Sequence, residues 1–214
     1  MKANLYDDLK WLLSNANYQT GLFRKPSNVY THLIKKISNY DASLKPELLK
    51  ESRKRAFFAE DSFIITVRLP SNKKMGIKIH IDTWEVCQKN YDTPAIRKAL
   101  NTSGLTTKVI DSFKIPQRRN QPDLRATFYR YEPGKLASRS DLDDRFIRAI
   151  DTFRTRNLHF WGRVSDFIIT PNNKIKLLDW NKIVYHENPT QDTFEFSDAL
   201  IEQVQSQQLL KAKI

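Results

Sequence analysis

Apolar residues recur at three- and four-residue steps in the first part of this chain, and from about residue 57 β-forming runs take over, with strict alternation at Met75–Ile81. Leu5, Leu9, Leu12 and Leu13 share one helical face over Asp7–Asn15, with Trp11 off that face. Gln19–Ser27 contains Gly21 and Pro26 and reads as a loop. A second helix is predicted from a Ser27 cap to Ser38, with Val29, Leu33, Ile34 and Ile37 as its stripe. A third is predicted after Ser43, with Pro46 in its first turn, ending near Arg55. Residues 1–55 are thus expected to be a helical extension.

The pattern then changes period. Phe63–Val67 is a run of β-formers, and Met75–Ile81 alternates apolar residues with Gly76, Lys78 and His80. With the turn Pro70–Lys74 between them, they predict a hairpin whose second strand is half-buried and carries Lys78 on its polar face. Asp82–Leu100 is mixed, with a helix expected from Pro94. Thr106–Ile115 and Leu124–Tyr131 predict two more strands, joined by the basic loop Gln117–Pro122 and followed by the reversal Glu132-Pro133-Gly134. Leu142, Phe146, Ile147, Ile150 and Phe153 form the stripe of a core helix, capped by Ser138 or Ser140. A last helix is expected from a Ser197 cap, ending in the cations of Lys211-Ala212-Lys213.

Between those two helices lie the short apolar runs Phe167–Ile169 and Ile175–Leu178, separated by Pro171-Asn172-Asn173-Lys174. Asp166 precedes the first run and Asp179 follows the second. A hairpin here brings the two carboxylates to one end, where such a pair can hold a divalent cation.

Composition narrows the chemistry. A formal charge of +12 favours anionic partners: a phosphorylated ligand, nucleic acid, a lipid surface or an acidic protein. Cys87 is the single cysteine, so an intrachain disulfide and multi-cysteine zinc sites are excluded. The four histidines lack metal-ligand spacing. With no signal-like N-terminus and no long apolar span, a cytoplasmic setting is expected.

The order of these elements resembles the protein-kinase-like fold, over about Phe57 to Tyr185. Met75-Gly76-Ile77-Lys78 looks like the family's V-A-I-K, which makes Lys78 the expected nucleotide-phosphate lysine. Tyr129–Gly134 is similar to the hinge. His159 lies seven residues before Asp166, the family's step from its loop histidine to its metal-binding asparagine. Asp179-Trp180-Asn181 stands at the D-F-G position, thirteen residues after Asp166. The resemblance implies an α+β, reduced two-lobed fold. A sheet lobe would span 56–134 and a small helical lobe 135–214, with the catalytic-loop-like hairpin at 159–183. It implies ATP and Mg²⁺ as ligands, with the metal on Asp166 and Asp179.

Departures from the family pattern are as informative. Trp161 stands where the catalytic aspartate belongs and cannot accept a proton. Arg163, a candidate phosphate contact, replaces a lysine, and Asn181 replaces a glycine. Ala56–Ser62 has no glycine where the phosphate loop belongs. Glu85 is the nearest acidic residue in sequence for pairing Lys78. Few residues follow Tyr185, too few for the helical half of a full protein kinase. A pseudokinase with a regulatory or scaffolding role is therefore the leading expectation. A small active kinase, similar to bacterial enzymes that phosphorylate lipopolysaccharide sugars, is a second. A basic nucleic-acid-binding protein using Arg118, Arg119, Arg125 and Arg130, with Tyr129 or Tyr131 stacking, is a third. A nuclease built on Asp123, Glu132 and Lys135 fits poorly, because E-x-x-K takes the lysine off the strand face of the glutamate.

Overall fold

A computed structural model describes residues 5–15, 26–52, 62–82, 85–116, 123–190 and 195–211. The expected phosphate-loop segment up to residue 61, the whole of the 117–122 loop and the last residues of the chain lie outside them. The protein is α+β and divides into two compact units, Met1–Thr83 with Val109–Tyr131, and Trp84–Lys108 with Glu132–Ile214. No helix among the described residues is long and apolar enough to cross a membrane.

The first unit contains helices α1 (Leu5–Ser14) and α2 (Pro26–Tyr40) and strands β1 (Lys45–Ser52), β2 (Ser62–Arg68) and β3 (Lys74–Ile81). Strands β4 (Val109–Ile115) and β5 (Leu124–Arg130) complete an antiparallel sheet of order β1-β2-β3-β5-β4. Leu9 and Leu13 of α1 and Leu33 and Ile37 of α2 share one core with Phe63, Ile65, Ile77 and Phe128 of the sheet. The N-terminal helices therefore pack on the sheet through their predicted stripes.

The helix expected after Ser43 is instead strand β1. Leu44 is buried and Pro46 and Leu48 are half-buried, while Lys45, Glu47 and Leu49 are exposed. That is a two-residue period, and β2 supplies the partner, with Leu48 opposite Ile65. Pro46 is tolerated because β1 is an edge strand.

The sequence also predicted β3 as half-buried, whereas every residue from Met75 to His80 is buried. As the third of five strands, it has paired neighbours on both sides. Met75, Ile77 and Ile79 enter the apolar core. Gly76, Lys78 and His80 take the other face, opposite Tyr129, Thr127 and Arg125 of β5.

The second unit holds α3 (Glu85–Asp92), α4 (Pro94–Thr102), α5 (Asp144–Arg154) and α6 (Glu195–Lys211). Its short strands are β6 (Lys135–Leu136), β7 (Leu158–Phe160), β8 (Phe167–Ile169), β9 (Ile175–Leu177) and β10 (Ile183–Tyr185). Helix α5 is capped by Asp143, whose carboxylate accepts the Arg145 N–H at 2.9 Å. Ser138, one of the two expected caps, serves a separate short turn, bonding Asp141 at 2.7 Å. The α5 stripe meets the hairpin through Phe146, edge-on to the Phe167 ring at 5.5 Å, and Phe160 of β7 packs tilted on the same ring at 4.8 Å.

Candidate functional site

The expected β8–β9 hairpin is present, with Phe167 opposite Leu177 and Ile169 opposite Ile175. Its tight turn uses Asn173 at φ 59°, a left-handed conformation that asparagine tolerates. Strand β7, which pairs with β10, delivers the chain to a loop over residues 161–166. Strand β6 extends the hairpin to three strands.

Asp166 and Asp179 lie at the same end of this hairpin. The Leu178 N–H donates to the Asp166 carbonyl at 2.9 Å, so the residue before Asp179 is stitched to Asp166. The Asp166 carboxylate turns back on its own loop, where Oδ2 accepts the Arg163 N–H at 2.6 Å. This fold-back needs Gly162, because a Cβ there would lie 2.5 Å from that Oδ2 and 2.7 Å from the Phe160 ring. Asp179 caps the short turn Trp180–Lys182, accepting the Asn181 N–H at 3.0 Å. Both carboxylates are half-buried and offer hard oxygen donors. That set fits Mg²⁺, which is held by one or two carboxylates and keeps several waters. Among the described residues no group of three or more His, Cys, Asp or Glu side chains forms a metal cluster.

The other predicted residues fall as follows. Trp161 is half-buried; its backbone N–H donates to the Lys182 carbonyl at 3.0 Å, and the Lys182 ammonium sits 4.2 Å from the centre of its ring. Arg163 is exposed in the same loop. His159, on β7, lies beside His186, with ring centres 5.9 Å apart. Burial, then His186 and Arg154, holds the His159 imidazole below its ordinary 6.5, with Asp198 opposing. Lys78 belongs to the first unit, 7% exposed on the polar face of β3. Glu85 opens α3, and its side chain lies outside the described residues.

Three features escaped the sequence reading. Helix α3 lacks a clear apolar stripe, yet its Asn90 donates to the carbonyls of Trp180 and Ile183 at 2.8 and 2.7 Å. Tyr91 stacks on Trp180 at 5.5 Å, and the Trp180 indole N–H donates to the Thr107 carbonyl at 3.2 Å. The segment after Asp179 is thus anchored by groups distant in sequence. In the first unit, the Tyr129 ring covers Gly76 so closely that a Cβ would lie 2.1 Å from it. Burial, then Tyr131, pushes the Tyr129 phenol well above its ordinary value.

Arg125, expected as a phosphate contact, is fully buried and grips Asp82 bidentately at 2.9 and 3.1 Å. Glu132 pairs with Lys176 and Lys135 with Asp141, so neither is held for a nuclease site. Compared with known proteins, the chain matches no family model and no curated protein sequence.

Proposed function

We propose that this chain is a kinase-like protein that has lost the proton-accepting aspartate, a pseudokinase binding a magnesium nucleotide for a regulatory or scaffolding role. The observation that carries the reading is the hairpin with Asp166 and Asp179 at one end, reached from α5 through β7 and the 161–166 loop. Two more features support it. Lys78 is on the third strand of a five-stranded antiparallel sheet, and the fifth strand runs into Tyr129–Gly134. In this reading Lys78 takes nucleotide phosphate and the two aspartates take the metal, which would supply charge neutralisation at the phosphates. Trp161 leaves a bound nucleotide without the usual base.

Thermal unfolding with and without Mg-ATP tests this. At a hundredfold excess over Kd, binding raises the melting temperature by on the order of 5 °C. Asp179→Asn and Lys78→Met are expected to abolish the shift while keeping the far-ultraviolet spectrum. No shift at millimolar Mg-ATP would remove the nucleotide from the proposal. Steady ADP release from a purified sample with a sugar acceptor would favour the active-kinase alternative.

A further inference from the structure

The position that this reading leaves without a base carries a cation instead. Lys182 is half-buried, and its ammonium lies over the Trp161 indole at 4.2 Å. Backbone bonds fix the pair. The Trp161 N–H donates to the Lys182 carbonyl at 3.0 Å, and the Lys182 N–H donates to the Asp179 carbonyl at 3.1 Å. Among the described residues no carboxylate lies within 4.0 Å of that ammonium. An indole face orients a cation without neutralising it. Arg163, two residues after Trp161, adds an exposed guanidinium to the same loop.

We propose that Lys182, Trp161 and Arg163 form an anion subsite for a phosphate-bearing group; the inference deepens the kinase-like reading and rests on it. A base is required only where the bound oxygen carries a proton to be removed. A phosphate monoester oxygen is already ionised near neutral pH. An aspartate at position 161 would repel such a group, whereas the indole removes that repulsion and holds an ammonium beside it. Lysine offers phosphate a point charge, and arginine a planar fork of donors. Loss of the base and gain of the cation therefore favour the same ligand chemistry. The phosphate belongs either to the nucleotide itself or to a second phosphorylated molecule.

Isothermal titration of the full chain with pyrophosphate, in magnesium-free buffer without nucleotide, tests the subsite. Saturable binding is expected, weakened at least about tenfold by Lys182→Met, as for loss of one charge-assisted hydrogen bond. Trp161→Leu is expected to weaken it as well, by freeing the ammonium. Lys182→Arg keeps the charge and should restore most of the affinity. Lys174→Met, at an exposed site in the β8–β9 turn, should leave it unchanged and thereby exclude general attraction to a basic surface. Repeating the titration with saturating Mg-ADP separates the two sources. Displacement assigns the subsite to the nucleotide's own phosphates, and binding of both assigns it to a second ligand. The proposal is overturned if the native chain shows no saturable binding, or if folded Lys182→Met binds as tightly as the native chain. Neither result depends on the Mg-ATP shift, so the subsite and the nucleotide reading fail separately.

Discussion

Arg125 and Asp82 stand 43 positions apart, and both side chains are fully buried. Lys114 also reaches Asp82, at 3.6 Å; a buried ion pair adds little net stability, but losing one member leaves the other poorly compensated. Arg125 is therefore a structural residue of the sheet, a role that charge counting along the sequence cannot distinguish from phosphate binding. Burial acts on the titration of His159. Its folded pKa is lowered, while the unfolded chain returns it to about 6.5, so below that pH the unfolded state binds more protons. Its contribution to stability is thus full above 6.5 and is lost as the pH falls through the folded value. Of the groups around it, His186 and Arg154 disfavour the added charge and Asp198 opposes them. The melting temperature is expected to fall between pH 7 and pH 5, and His159→Gln should flatten part of that fall. An unchanged profile in the variant would assign the acid sensitivity elsewhere.

At the scale of elements, the strongly periodic segments were legible and the short or borderline ones were not. Helix α5 and the β2–β3 and β8–β9 hairpins follow from apolar spacing and turn residues alone. Strand β1 does not. Leu48-Leu49 beside Pro46 suits the start of a helix, and only pairing with β2 selects the two-residue period. The two geometries differ in a measurable way. In the strand Leu48 turns inward and Leu49 is 47% exposed. Leu48→Ala is expected to destabilise by about 1–2 kcal/mol, and Leu49→Ala by less than about 0.5 kcal/mol. Equal losses in denaturant titrations would contradict the β1 register. Helix α3 was missed because its main contribution is Asn90, a polar side chain bonded to carbonyls beyond Asp179. No apolar pattern announces such a bond. The α5 cap shows a finer limit: Ser138, Ser140 and Asp143 all have cap chemistry, and local backbone geometry assigned α5 to Asp143.

At the scale of the whole molecule, the formal charge of +12 draws anions of any kind. Charge of this kind gives sequence-independent, salt-sensitive attraction to nucleic acid. Mobility-shift assays should accordingly show weak retardation of DNA and RNA at low salt that disappears near physiological salt, without sequence preference. Retardation that persists there and discriminates between sequences would favour a nucleic-acid-binding protein over the kinase-like reading.

The sequence by itself determined which residues form the two hairpins and the core helix, because periodicity and turn chemistry are local. It also determined that Asp166 and Asp179 bracket one hairpin. Only the tertiary structure decided that residues 45–52 pair as a strand, that Lys78 is buried on a central strand, and that Arg125 is spent on Asp82. It alone set the Lys182 ammonium over the Trp161 ring. Each of these depends on a partner distant in sequence or on the fold of a neighbouring turn, and no local pattern encodes either.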